Sequence, residues 1–384
     1  MPAVNVNIQP TILDWVYKQI DVDQVGVDLM EKISQWIAGT KTPTFGQVQA
    51  LSRKSRIPLG YFFLSTPPEE DLSLLEFRTV DSLELVNPSR DLIDTMNEMS
   101  EIQDWMKAYR QEQGYGESLI VGSGKTIGDP MQLASKIREF LEIDIDWQTD
   151  LNDTRDAFNY IRDKAEECGI VVMVNGIVGN NTHRPLKINE FRAFAIADKI
   201  APLIFINGVD SLGAKLFSLL HEIAHIAIGK NDLFNDRHGE SVHPLEIICN
   251  KVAAEILVPR ERFLKKWEES EGDPEEIINA LAKQFLCSTT VIARQALECG
   301  KIQRDLYKTI ANRAIESYIE DKEKRSSGGD YYNTKESKLD KVFVRAICES
   351  INSGRLSYTE AYRLTNTSRK TFDKIARDLG GVLW

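Results

Sequence analysis

The stretch that most constrains this chain is His-Glu-Ile-Ala-His at 221–225, which lies inside an apolar run over 216–228. On an α-helix, a spacing of four residues places both histidines on one face about one turn apart, where a single Zn²⁺ can take a nitrogen from each. Glu222 lies off that line, so its carboxylate can act on a water molecule instead of binding the metal. The chain has only five histidines, which makes a chance match a poor explanation. The pattern predicts the active-site helix of a zinc-dependent peptidase, with Gly229 as its end.

A catalytic zinc site takes three protein ligands and leaves its fourth position to water. His221 and His225 supply two, and the next predicted helix, over 244–259, supplies Glu246 on its first turn as the third. Two alternative third ligands lie in the loop before that helix, Glu240 and His243. Glu246 could instead be a solvated carboxylate that the helix dipole favours, and the histidines could be hydrogen-bonded residues of a buried helix.

Asn250 follows Glu246 by four residues and therefore shares its helix face. An amide at that position can hold a ligand imidazole in the tautomer that binds the metal. Cys249 lies on the same helix, but a cysteine there is more often a small buried residue than a ligand. We expect Asn250 to support the site and Cys249 to pack in the core.

Apolar runs ahead of the candidate zinc helix predict a small sheet. They lie at 170–174, 191–196 and 203–206, after helices predicted at 129–141 and 152–168. The expected fold is α+β, mostly α, with the zinc helix following the last strand and packing on the sheet. An exposed edge strand beside the zinc would let a peptide substrate add as an extra strand.

His183 and Arg192 fall near this sheet, and both can donate hydrogen bonds. Either could polarise the carbonyl group of a scissile peptide bond. A role as ordinary surface or loop residues is equally consistent with the sequence, so we assign no oxyanion-stabilising group.

These residues resemble the ImmA/IrrE family of metallo-endopeptidases. The resemblance rests on the zinc helix, on the runs at 178–186, 190–196 and 202–207 before it, and on Glu246-Ile-Ile-Cys-Asn250 and 253–259 after it. It covers roughly 160–310, while the long flanks resemble a larger subgroup of the family. It implies a zincin-like core, bound Zn²⁺ and a bacterial or mobile-element peptidase that works inside cells. Such proteins cut, or act on, a helix-turn-helix transcriptional repressor, and some longer members are regarded as regulatory partners of toxins.

Helix-turn-helix-like units are predicted on both sides of the core. Residues 1–66 resemble a reduced repressor-type domain, in which 36–44 is similar to the end of a recognition helix. The stretch 21–31 is acidic where a DNA-reading helix carries Arg, Lys, Asn or Gln, so a structural or protein-binding role is favoured over base recognition. A second such unit is predicted over 266–317, with Ser288 as the cap of its second helix.

The tail, 334–384, is predicted to form paired helices that carry the most basic face of the chain. The cations of this face are Arg369, Lys370, Lys374 and Arg377. They could contact DNA phosphates, although a solvated helix face is the commoner explanation for such a charge pattern. The remaining predicted segments are a linker with a long helix at 67–128, the peptidase core at 129–265 and a charged, then Ser/Gly-rich linker at 318–333.

The segment Gly122-Ser-Gly-Lys-Thr126 is similar to the end of a phosphate-binding loop. That motif needs its first glycine at position 119, which is Leu119, so the segment is instead predicted to be a hinge between units. Before it, 74–80 is predicted to be extended and 89–113 to form an amphipathic helix whose methionines and aromatic residues face a core or a partner helix.

Composition limits where the protein acts. The contents of 42% hydrophobic and 27% charged residues are typical of a globular protein, and no apolar run approaches the length of about 20 residues that spans a bilayer. Residues 1–10 lack the features of a signal peptide. Five cysteines without a Cys-x-x-Cys pair favour reduced thiols in a cytoplasm, and a net charge of −11 disfavours general nonspecific binding to nucleic acid.

The sequence therefore predicts a cytoplasmic zinc endopeptidase that acts on a specific regulatory protein, either a repressor or a toxin–antitoxin partner. The alternative is a DNA- or toxin-binding regulator, such as an antitoxin, that retains the peptidase fold but cuts little. A purely structural zinc site is disfavoured, because Glu222 would then have no evident purpose and only three protein ligands are visible.

Overall fold

The computed structural model describes residues 4–20, 25–68, 76–78, 88–229, 244–324 and 338–380. The chain divides into two compact units. The first combines Met1–Ser73 with Leu85–Asp94, and the second combines Leu74–Glu84 with Thr95–Trp384. The candidate zinc helix belongs to the second unit.

The first unit is built from short helices. They are α1 (Pro10–Gln19), α2 (Val27–Ile37) and α3 (Phe45–Ser55), followed by a 3₁₀ turn at Leu59–Phe63. Helix α3 begins at a capping box: the Thr44 side chain accepts a hydrogen bond from the backbone N–H of Gln47, whose side chain accepts one from the backbone N–H of Thr44. Buried apolar side chains hold these elements together, among them Ile12, Val16, Ile33, Leu51 and Phe62.

Twelve further helices are described in the rest of the chain. They are α4 (Arg90–Glu112), α5 (Pro130–Leu141), α6 (Thr154–Glu167), α7 (Leu212–Ile228), α8 (Pro244–Leu257), α9 (Arg260–Glu268), α10 (Pro274–Gln284), α11 (Thr289–Glu298), α12 (Arg304–Lys324), α13 (Lys341–Asn352), α14 (Tyr358–Leu364) and α15 (Arg369–Ile375). Helix α15 continues as a π-helical turn at Ala376–Gly380. Residues 318–324, which the sequence analysis assigns to a linker, are instead the last turns of α12, and 325–333 lie outside the described residues.

The second unit contains a four-stranded sheet. Its strands are β1 (Glu76–Arg78), β2 (Val171–Asn175), β3 (Ala193–Ile196) and β4 (Leu203–Asn207), in the order β1-β3-β4-β2. Strand β3 is antiparallel to β1 and β4, whereas β2 and β4 are parallel. The three predicted strands are therefore confirmed to within two residues at their ends, and the predicted fold class, α+β and mostly α, is confirmed.

Side chains along β3 and β4 alternate between the two faces of the sheet, and both faces are apolar. On one face, Ala193, Ala195, Ile204 and Ile206 share a core with the helices. On the other face the rings of Phe194 and Phe205 stack with their centroids 5.2 Å apart. Alanines at both helix-facing positions of β3 leave room for α7, which packs on β3 and β4.

The edges of β3 and β2 that face away from β4 are hydrogen-bonded by other parts of the chain. The outer edge of β3 pairs with β1, in the register Phe77 opposite Phe194. At the outer edge of β2, the N–H of Val174 donates to the carbonyl of Lys338 at 3.0 Å, and the N–H of Val172 donates to Asp340 Oδ2 at 2.8 Å. Neither β3 nor β2 is therefore an exposed edge strand, and the strand at the edge of the sheet next to β3 is β1. The expectation of an exposed edge strand beside the zinc site stays a prediction.

The glycine-rich segment at 122–126 is not a hinge but a cap on α7. Gly122 donates its backbone N–H to the carbonyl of Ile226 at 3.1 Å, and Gly124 donates to that of Ala227 at 2.7 Å. These carbonyls belong to the last turn of α7, whose acceptors have no partner within the helix. The segment thus completes the end of the helix that carries both histidines.

Gly124→Ala should destabilise the protein by about 1–3 kcal/mol, because a side chain there would overpack the contact with α7. A Cβ atom at this position would lie 2.4 Å from Leu133 Cδ1 and 3.2 Å from the Ala227 carbonyl oxygen. Gly128→Ala is the matched control, since nothing lies within 4 Å of its added Cβ. Chemical denaturation of both variants tests this, and equal midpoints would show that the contact at Gly124 contributes nothing.

Candidate active site

Helix α7 brings its histidines into the core of the second unit. It begins at Ser211, whose side chain accepts a hydrogen bond from the backbone N–H of Ala214, and ends at Gly229, whose φ of 84° favours glycine. The apolar run that drives its burial encloses three ionisable side chains. His221 and Glu222 have no exposed surface, and His225 is 4% exposed. Polar groups are buried this deeply only when hydrogen bonds or a metal compensate for lost hydration.

Helix α8 packs against α7 and places Glu246 opposite the two imidazoles. The Nε2 atoms of His221 and His225 lie 3.0 Å apart. The two carboxylate oxygens of Glu246 lie 3.2 Å from His221 Nε2 and 3.0 Å from His225 Nε2. Three side chains from two helices therefore converge on one point, as the spacing of the histidines and the position of Glu246 predict.

This donor set fits Zn²⁺. A tetrahedral zinc ion with ligands at about 2.0–2.1 Å separates neighbouring ligand atoms by about 3.3 Å, close to the distances between these three side chains. Lone pairs of nitrogen and carboxylate oxygen at such distances repel one another unless a proton or a cation lies between them. Two imidazoles and one carboxylate are also the protein ligands of a common class of catalytic zinc site, which leaves one coordination position open.

Asn250 fixes the tautomer of one imidazole. Its Oδ1 atom lies 3.1 Å from His221 Nδ1. Because an amide oxygen only accepts hydrogen bonds, Nδ1 carries the proton and Nε2 presents its lone pair toward Glu246. Burial alone would raise the pKa of Glu246, but when the imidazoles of His221 and His225 are protonated, their hydrogen bonds and charge outweigh burial and hold that pKa well below its usual range. The carboxylate is therefore ionised, as a metal ligand must be.

Asn250→Ala should lower zinc affinity about 10- to 100-fold, because His221 would lose the acceptor that orients its ring. Titration of the metal-free protein with zinc against a competing chelator measures the change. Lys251→Ala is the control, since this neighbouring side chain on the same helix is exposed. Equal affinity in both variants would rule out a positioning role for the amide.

Cys249 is a neighbour of the site that sequence analysis placed only in the core. It is fully buried, and burial raises the pKa of its thiol, while contact with His225 lowers it in part. It does not belong to the group of three side chains that could share a metal ion. Its position between Glu246 and Asn250 on α8 is the feature of the sequence that indicates this proximity.

The other candidate residues lie in separate places. His183 is exposed in the loop after β2. Arg192 forms an ion pair with the buried Asp210 at 2.5 Å, just before α7 begins, so its guanidinium has a structural partner. The alternative ligands Glu240 and His243 lie outside the described residues. On α15 and its π-helical extension, Arg369, Lys370 and Arg377 are exposed and Lys374 is half-buried.

Comparison with known protein families agrees with this geometry. Residues 339–378 match a family model described as Domain of unknown function (DUF8813). No curated protein matches the chain. Residues 165–297, from α6 to α11, match the peptidase family model described as IrrE N-terminal-like domain. This segment, which holds all three candidate ligands, is similar to that family model, and the resemblance to the ImmA/IrrE family is confirmed over it.

Proposed function

We propose that this protein is a zinc-dependent endopeptidase that acts on a specific intracellular regulatory protein. The observation that carries the proposal is the convergence of His221, His225 and Glu246 within 3.2 Å of one another, directly beside Glu222. Zinc bound by these side chains would polarise a scissile carbonyl group and lower the pKa of a water molecule to about 7. The matching peptidase family model supports the same chemistry.

Glu222 would serve as the general base and general acid. It follows His221 directly, so on the helix its side chain lies about 100° around the axis from that ligand. It is fully buried beside the site, where a carboxylate can accept a proton from the attacking water and pass it to the departing amine. Asn250 would keep His221 oriented during this exchange, and α8 would hold Glu246 in place.

Restricted specificity is supported by the pairing of β3 with β1. A substrate strand that paired with β3 would first have to displace β1, since Phe77 already pairs with Phe194. An arbitrary unfolded peptide gains too little from a few backbone hydrogen bonds to do this readily. We therefore propose a regulatory protein, either a repressor or a toxin–antitoxin partner, as the substrate. The cysteines, all unpaired, are consistent with action in a cytoplasm.

The test combines metal analysis with a cleavage assay. Purified full-length protein should contain about one zinc ion per chain, as the single three-residue ligand set implies. It should cut at least one of the regulatory proteins encoded by neighbouring genes. His221→Ala is the control, because it removes one ligand and should lose both metal and cleavage. Intact candidate substrates after incubation with fully zinc-loaded protein would count against the catalytic role.

A second candidate function is that of a regulator, such as an antitoxin, that retains the peptidase fold but cuts little. The observation that favours it is again the pairing of β3 with β1, which prevents a peptide from adding directly to β3 as an extra strand. On this alternative, binding of DNA or of a toxin would produce the biological effect, and Glu222 would be dispensable for it.

A further inference from the structure

Two helix pairs in the second unit share one turn geometry. In α10–α11, Leu286 has a positive φ of 49° and Ser288, two residues later, caps the second helix by accepting from the backbone N–H of Val291. In α14–α15, Asn366 has a φ of 48° and Ser368 caps the second helix in the same way. Short turns of this kind join the two helices of helix-turn-helix units.

The first turn of α11 is closed to a ligand. A Cβ atom added to Gly213, at the start of α7, would lie 3.3 Å from the backbone nitrogen of Ser288. The two residues that follow that cap, Thr289 and Thr290, are half-buried and uncharged. Helix α11 therefore uses its N-terminal turn to pack on the peptidase core, which leaves it a structural role.

The first turn of α15 is open and cationic. Arg369 and Lys370 occupy the positions that threonines hold in α11, and both are exposed, with 84% of the Arg369 side chain accessible. Lys374 and Arg377 follow on the same helical face. The opposite face of this helix is buried in the core of its own unit by Phe372, Ile375 and Ala376. This packing fixes the orientation of the cationic face.

The segment that contains α14 and α15 differs in net charge from the chain as a whole. Residues 339–378 contain eight Lys and Arg against five Asp and Glu, a net charge of +3, in a chain whose net charge is −11. Some of these cations have acidic neighbours, which reduces the number that can bind a phosphate. Arg363 pairs with Glu101, and Asp373 lies 3.9 Å from Arg369. The Arg369 contact is long and exposed, so a phosphate can replace it. Tyr358 is 43% exposed at the start of α14, and its hydroxyl group can donate a hydrogen bond. In helix-turn-helix units the first helix crosses the DNA backbone, so this hydroxyl is placed to contact a phosphate.

We propose that α14–α15 is a helix-turn-helix unit that binds double-stranded DNA, with the exposed face of α15 directed into the major groove. Arg369 and Lys370 lie at the N-terminal end of the second helix, which is the part that reaches base edges in such units. Lys374 and Arg377 contact phosphates further along. DNA is favoured over an acidic protein because a cationic face on the second helix of this turn geometry matches the shape and charge of the groove.

The test measures binding of full-length protein to a fluorescently labelled duplex of mixed sequence by anisotropy, at low and at moderate salt. We expect binding at 50 mM salt that weakens steeply at 200 mM. Replacing Arg369 and Lys370 together by alanine should reduce affinity about tenfold at 50 mM and lower the salt slope by about two, one for each lost phosphate or base contact. These substitutions lie outside the buried core, so folding should be unchanged.

Lys283→Ala with Arg294→Ala is the matched control, because it removes two exposed cations from the structural pair α10–α11. This control should bind the duplex as the unmodified protein does. Absence of duplex binding at 50 mM salt, or equal losses in the two double variants, would overturn the proposal. Loss of a copurifying acidic protein from the Arg369/Lys370 variant, with duplex affinity intact, would assign the face to a protein and overturn it as well.

Discussion

Glu222→Gln should abolish peptide-bond cleavage while zinc remains bound. The substitution keeps the size of the side chain and leaves all three ligand atoms of His221, His225 and Glu246 in place. Glutamine cannot accept a proton from water at neutral pH, so the general-base contribution, about 10²- to 10⁴-fold in rate, is lost. The carboxylate also has no part in the ligand set, so the metal content should stay near that of the unmodified protein.

The measurement compares cleavage rate and zinc content in the same preparations. Glu246→Ala is the informative control, because it removes a ligand on the facing helix and should lose zinc as well as activity. Loss of cleavage with zinc retained in Glu222→Gln separates catalysis from metal binding. If that variant instead shows the full biological effect in cells, the protein acts as a regulator and not as a peptidase.

The parts of this site that sequence predicts are those fixed by local geometry. The spacing of His221 and His225 on one helix, and of Glu246 and Asn250 on another, follows from 3.6 residues per turn. That the two helices face each other does not follow from spacing; the need for a third ligand and the family resemblance predict it. The structure places Glu246 at that third position, within 3.2 Å of both imidazoles.

The structural features that the sequence did not predict depend on contacts between segments that lie far apart in the chain. The sequence pattern at 74–80 predicts an extended segment, but nothing in it indicates that Phe77 pairs with Phe194. Glycines at 122–124 look like a hinge in isolation, yet tertiary hydrogen bonds to the end of α7 make them a cap. The edge of β2 is likewise covered from position 338, more than 160 residues away. Pairings over such separations carry a loop-closure cost that only the assembled core offsets.

A buried ionic cluster joins this edge of β2 to α13. Arg162 donates to Glu166 at 2.9 Å, to the carbonyl of Val172 at 2.9 Å and to that of Leu339 at 2.8 Å. Asp340, fully buried, accepts from the backbone N–H of Val172 and caps α13 by accepting from that of Phe343. The Arg162 guanidinium thus hydrogen-bonds to one buried carboxylate, that of Glu166, and its charge favours the ionised form of a second, that of Asp340.

These carboxylates make stability depend on pH. Burial, followed by the charge of Asp340, raises the pKa of Glu166 from 4.5 to about 8, while Arg162 opposes the rise. Burial also raises the pKa of Asp340. A group whose pKa is higher in the folded state binds its proton more tightly there than in the unfolded chain. The unfolding free energy should therefore fall as pH rises between 4.5 and about 8.

Arg162→Leu should lower the unfolding free energy by about 3–5 kcal/mol near pH 8, because it removes the buried cation that hydrogen-bonds to Glu166 and opposes the charge of Asp340. The loss should be smaller near pH 5, where Glu166 is protonated and needs no counter-charge. Lys341→Met is the matched control: it removes a cation from the same region, but the pair of Lys341 with Asp163 is more than 40% exposed on both sides. Such a pair contributes at most about 1 kcal/mol.

Urea denaturation of both variants at the two pH values tests the difference. Similar midpoints for Arg162→Leu and Lys341→Met would mean that water, and not the guanidinium, compensates the buried charges.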